Sequence, residues 1–71
     1  MKFLVVIEPG SLGWGAHVPD LPGCVAAAET RDKTLELILE AIRFHIEGMQ
    51  EHGEMVPEAH SEGLVVEVHA A

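Results

Sequence analysis

Apolar positions along the chain change their period twice. From Lys2 to Glu8 the pattern is strand-like, with Phe3, Val5 and Ile7 on one face and Leu4 and Val6 on the other. A strand apolar on both faces is expected in the middle of its sheet, covered from two sides. Pro9-Gly10-Ser11 turns the chain. Gly13 to Val18 forms a second strand that sets Trp14, Ala16 and Val18 against Gly15 and His17. Pro19-Asp20-Leu21-Pro22-Gly23 then reads as a connection. Pro22 fixes its own φ and pushes Leu21 towards extended backbone, and Gly23 supplies the positive φ of a type II turn. Cys24 to Glu29 returns as a third strand containing the small Ala26, Ala27 and Ala28.

At Thr30 the period lengthens. Thr30 is a good N-cap and Asp32 lies in the first turn, where the helix dipole favours an acid. The helix is expected over Arg31–His52, ending before Gly53. Leu35, Ile38, Leu39, Ile42, Ile46 and Met49 follow i, i+3, i+4 spacing and form the predicted core stripe. Leu37, Ala41 and Phe44 fall nearly opposite it, as a second, exposed apolar stripe, while Glu36, Glu40, Glu47 and Glu51 occupy another face with Arg43 among them. Met55-Val56-Pro57-Glu58 breaks the helical pattern. Alternation returns at Leu64–His69, with Leu64, Val66 and Val68 predicted inward and Val65, Glu67 and His69 outward.

The order β-β-β-α-β describes a single α+β domain over residues 1–71: an antiparallel three-stranded meander with one helix on one face. A right-handed crossover would place the last strand beside the first, in spatial order 3-2-1-4. One helix shelters one face of a sheet. The other face should therefore be closed by something else. At 71 residues such a domain buries only about 60% of the surface of its unfolded chain. With Cys24 the single cysteine, neither an internal disulfide nor a four-cysteine zinc site can add stability. A second polypeptide is left as the source of extra burial, and self-association into a homodimer or larger homo-oligomer is the default expectation.

Charge narrows the kind of partner. The net charge is −8, and it is uneven: residues 1–33 hold three basic and four acidic groups, whereas residues 34–71 hold Arg43 against eight glutamates. Such a surface repels phosphate backbones, which argues against direct nucleic-acid binding by this chain alone and favours a basic protein. The apolar run Phe3–Ile7 is too short for a signal-peptide core, and no stretch approaches the roughly 20 apolar residues of a membrane span. A cytoplasmic, membrane-free protein is expected.

Catalytic chemistry finds little to work with. His45 and His52 stand about 10 Å apart along the helix axis, too far for one ion, and His17, His60 and His69 lack ligand spacing. Cys24 with His17 is the one conceivable nucleophile–base pair, but a lone cysteine after Pro-Gly reads as a small buried residue. Gly10, Gly13 and Gly15 do not form a phosphate-binding frame, and Asp20 reads as the cap of its own turn. No catalytic, metal or cofactor site is expected, and the chain is not read as an enzyme.

The segment Trp14-Gly-Ala-His-Val-Pro-Asp20-Leu21-Pro22-Gly23-Cys24 resembles the HicB family of antitoxins. Thr30 opening the helix, Ala41 within it, Glu47-Gly48-Met49 near its end and Gly53-Glu54-Met55-Val56-Pro57-Glu58 after it extend the likeness to residues 1–59. This resemblance implies a partial RNase H-like fold and an antitoxin of a type II toxin–antitoxin system. It also implies a partner, a small basic HicA-type ribonuclease that cuts mRNA and whose active site the antitoxin covers. Departures from the family pattern are Lys33-Thr34 near the helix start, Ala59 where a proline is common, and the lack of a DNA-binding module within these 71 residues. On this reading Trp14 and Phe44 are candidate apolar anchors, and Glu36, Glu40, Glu47 and Glu51 steer a basic partner. The alternative is an orphan homo-oligomer serving as a scaffold or small-molecule binder.

Overall fold

A computed structural model describes residues 1–70. Three short strands, β1 (Val6–Pro9), β2 (Trp14–His17) and β3 (Val25–Ala28), precede one helix, α1 (Arg31–Glu51). The strands form an antiparallel sheet in the order β1-β2-β3. Ile7 is registered with Ala16, and Ala16 with Ala26. All three point towards the helix, because side chains opposite one another in a ladder share a face.

Both ends of α1 follow from local chemistry. The Thr30 hydroxyl accepts from the Lys33 N–H at 3.1 Å, satisfying one of the helix's free N-terminal donors. At the other end Gly53 adopts φ +69°. Its N–H donates to the Gln50 carbonyl, and the Glu54 N–H reaches back to Met49 at 2.8 Å. This is a Schellman closure, and it needs a residue without a Cβ penalty at Gly53.

The buried stripe of the helix is rotated from the predicted one. Thr34 and Ile38 are fully buried, and Ala41 and Ile42 pack on the core. Leu35 and Leu39, expected inward, are 37% and 53% exposed. Ala41, expected outward, faces the sheet. The cause is Thr34, a polar residue that no apolar-periodicity argument would place inside. Its hydroxyl donates to the Thr30 carbonyl at 2.8 Å, and the Trp14 carbonyl of β2 lies 3.4 Å away. Satisfied in this way, it can be buried at little cost.

The core centres on the loop between β2 and β3. Leu21 is fully buried, surrounded by Ala16, Val18, Cys24 and Ile38, with Phe3, Val5 and Ile7 packed around them. The predicted type II turn is present: Gly23 has φ +84° and the Cys24 N–H donates to the Leu21 carbonyl at 3.0 Å. What the sequence presents as a connection is the middle of the molecule.

The fourth strand is not formed. Residues 54–70 carry no regular secondary structure, and β1 is an edge of the sheet, not its centre. Pro9 within β1 suits an edge, since proline donates nothing to a ladder. The alternation at Leu64–His69 reports strand propensity, and propensity does not specify which edge the strand will meet. Leu64, Val65, Val66 and Val68 are instead among the exposed large apolar side chains. Each forgoes roughly 1.5–3 kcal/mol of possible burial.

Candidate functional site: an acidic helix face and a clamped tail

Turning 100° per residue, Glu36, Glu40, Glu47 and Glu51 lie within about 60° of one another on the side of α1 away from the sheet. All four are exposed. Glu36 approaches Lys33 at 3.6 Å, an exposed pair of little energetic weight. Phe44 projects from the same helix, 79% exposed. A shallow groove along the helix is lined by Leu37, Glu40, Ala41, Arg43, Phe44 and Glu47. An aromatic ring flanked by two carboxylates is a surface for a basic, partly apolar counterpart.

Trp14 does not join this groove. It is half-buried and lines a second depression with Leu12, Gly13, Gly15, Ala27 and Ala28, on the β1–β2 turn and the adjoining sheet. The structure thus brings Glu40, Phe44 and Glu47 together, keeps Glu36 and Glu51 on the same face, and separates Trp14 from all of them. Leu12, 94% exposed beside Trp14, escaped the sequence reading because a single leucine in a turn has no periodicity to reveal it.

Asp20, expected to cap its own turn, bonds instead to the segment that follows the helix. Its carboxylate accepts from the backbone N–H groups of His60 and Ser61 at 3.0 and 2.9 Å, and from the Ser61 hydroxyl at 2.8 Å. The His60 ring lies 3.2 Å from the same carboxylate. The backbone N–H of Ser61 does most to hold Asp20 below the ordinary carboxylate range; the Ser61 hydroxyl and His60 add to it, against an opposing effect of burial. Three donors aimed at one buried carboxylate explain why a charge is tolerated there. They also tether the segment after the helix to the β2–β3 loop, and Gly63 abuts the Leu4 side chain. No local signal reveals a partner forty residues away.

Burial raises the Cys24 thiol, which keeps it protonated and unreactive, and His17 is exposed on the opposite face of the sheet. Among the described residues no group of three or more His, Cys, Asp or Glu side chains is arranged to hold a metal ion. Nor is any helix there long and apolar enough to cross a membrane.

Comparison with known proteins supplies a context for this geometry. A family model described as the HicB-like antitoxin of bacterial toxin–antitoxin systems matches residues 3–68. A UPF0150 protein of Thermoplasma acidophilum is 37% identical over 67 residues, covering 93% of this chain and 97% of the relative. A UPF0150 protein of Archaeoglobus fulgidus is 42% identical over 48 residues, or 66% of this chain and 70% of that one. An uncharacterized 14.9 kDa protein of Haemophilus phage HP1 is 41% identical over 59 residues, which is 83% of this chain but 44% of the phage protein. The chain therefore spans nearly all of one relative and less than half of another.

Proposed function

Starting from the fact that the chain belongs to the HicB-like antitoxin family of bacterial toxin–antitoxin systems, we propose that it neutralises a small basic ribonuclease of the HicA type by covering the surface that binds mRNA. The observation that carries this reading is the juxtaposition of Phe44 with Glu40 and Glu47 along one groove of α1. A ribonuclease must present cations to RNA phosphates. A glutamate-lined groove offers those cations carboxylates in place of phosphates, and the aromatic ring provides an apolar anchor that RNA would not. Glu36 and Glu51 extend the negative field and accelerate encounter without needing contact in the complex. Trp14, with Leu12, forms a separate apolar contact on the turn side of the sheet.

In this reading residues 1–71 act as one HicB-like domain of partial RNase H type, in the cytoplasm, and the protomers self-associate. No chemistry is required of the domain itself. Inhibition is steric and electrostatic, and the Asp20-Leu21-Pro22-Gly23-Cys24 turn serves to hold the sheet against the helix that bears the groove.

Stopped-flow association with the cognate ribonuclease tests the reading. The association rate should fall steeply between low and physiological salt, as expected for steered encounter. Phe44→Ala should weaken binding by about 2 kcal/mol, roughly thirtyfold in Kd, with the dissociation rate carrying most of the change. A salt-independent rate together with an unaffected Phe44→Ala variant would remove the α1 groove from the interface.

A further inference from the structure

The chain contains an edge without a strand and a strand without an edge. The outer side of β1 has no partner among the described residues. Leu64, Val65, Val66 and Val68, at 84, 104, 70 and 80% exposure, form an alternating, mostly β-branched segment with nothing packed on it. Exposed apolar stretches of this kind and open sheet edges are features that soluble proteins ordinarily cover.

The tail does not close back on its own sheet. Asp20 fixes His60 and Ser61, and Gly63 lies against Leu4. The segment therefore starts from a fixed point beside Leu4, just ahead of β1 in the same chain. Beyond it the chain runs outward: the molecule is 52 Å long with a radius of gyration of 14.3 Å. The 21-residue helix accounts for only about 30 Å of that length, and a compact chain of this size has a radius of about 11 Å.

We propose that residues 64–69 add as a strand to the free edge of β1 in a second copy of this chain, and that the second copy returns its own segment in the same way. Six extended residues span about 20 Å, enough to follow the whole of the first strand. A reciprocal, two-fold exchange leaves neither copy with an unpaired segment and closes without polymerising. Charge repulsion in this arrangement is small. Two chains of net charge −8 repel each other, but the segment contributes only Glu67 as an acid. β1 adds only Glu8, and Lys2 lies just before it in the chain. The glutamate face of α1 lies on the far side of the helix from the sheet. The exchange brings one acid from each side together and keeps the glutamate face of α1 out of the contact. It deepens the self-association proposed above and rests on that part of the reading, not on the toxin.

The test uses the full chain. Light scattering should show a dimer. In dimers mixed from labelled and unlabelled copies, isotope-filtered nuclear Overhauser effects should connect Val66 with the first strand across copies. At least one of Val65→Pro and Val66→Pro removes an N–H that faces the ladder, so at least one should be monomeric while keeping its helical circular dichroism. A monomeric unmutated chain overturns self-association and exchange together. A dimer in which residues 64–69 contact β1 only within one copy, or show no such contact, overturns the exchange and leaves self-association standing. A dimer that persists in both proline variants does the same. Should a proline variant unfold, the filtered effects on the unmutated dimer decide.

Discussion

Residues 18–24 and residues 64–69 reverse what their compositions suggest. The first segment, Val-Pro-Asp-Leu-Pro-Gly-Cys, has the chemistry of a surface turn, yet it contains Val18, Asp20, Leu21 and Cys24, all buried. The second, Leu-Val-Val-Glu-Val-His, has the chemistry of a core strand and is exposed throughout. The difference lies in where each segment's backbone groups find partners. In the loop, Val18 and Cys24 bond across its neck at 3.1 Å, Leu21 bonds back to Val18, and Cys24 to Leu21. With its polar backbone satisfied internally, the loop can enter the core. A strand cannot satisfy itself, and needs an edge. Burial in this fold follows hydrogen-bond closure as much as hydrophobicity.

The largest expected effect breaks the comparison at its centre. Leu21→Ala removes the middle of the core and should cost about 2–5 kcal/mol, enough to unfold much of a domain this small at ambient temperature. Val65→Ala, measured at concentrations where the chain is monomeric, should stay within about 0.5 kcal/mol. Chemical denaturation of the two variants side by side checks this; equal losses would mean that the tail is core and the loop is not. Next in size, Gly23→Ala forces a Cβ into the left-handed region at φ +84° and should cost about 1–2 kcal/mol. The loss should appear as a lower denaturation midpoint with an unchanged m-value.

Acid should produce the most local effect. Asp20 is held below its ordinary range in the folded protein, so the tether it makes is at full strength above the range of an unfolded carboxylate. It is lost as the pH falls through the depressed folded value. Hydrogen exchange followed downward from neutral pH should show the His60 and Ser61 amides losing protection before those of α1. Asp20→Ala should show the same loss already at neutral pH. Retained protection at His60 and Ser61 in that variant would mean that something other than the carboxylate holds the tail.

Much of the molecule was legible in one dimension. The order of the three strands, the helix with its Thr30 start and Gly53 stop, and the turn at Gly23 all rest on interactions within a few residues, although the first strand, expected over Lys2–Glu8, forms at Val6–Pro9. A single sequence displays those directly. The glutamate face was legible for the same reason, since a helix imposes its own angular spacing on its side chains. Trp14 and Phe44 could be nominated as exposed anchors, but not placed: one lines a depression at the β1–β2 turn and the other a groove on α1. The rotation of the helix was hidden because burial of Thr34 depends on a carbonyl of β2, and apolar counting treats every threonine as polar.

The sequence by itself determined three strands and the helix, their caps and turns, and the sign of the charge on the outer helix face, because hydrogen bonds and side-chain periodicities of short range set them. Only the tertiary structure decided that Leu21 is the centre of the core, that Asp20 grips residues forty positions away, and that the first strand lies at an edge. These depend on which groups meet after the chain has closed on itself. Contact between distant residues is a property of the closed chain, and local propensity carries no record of it.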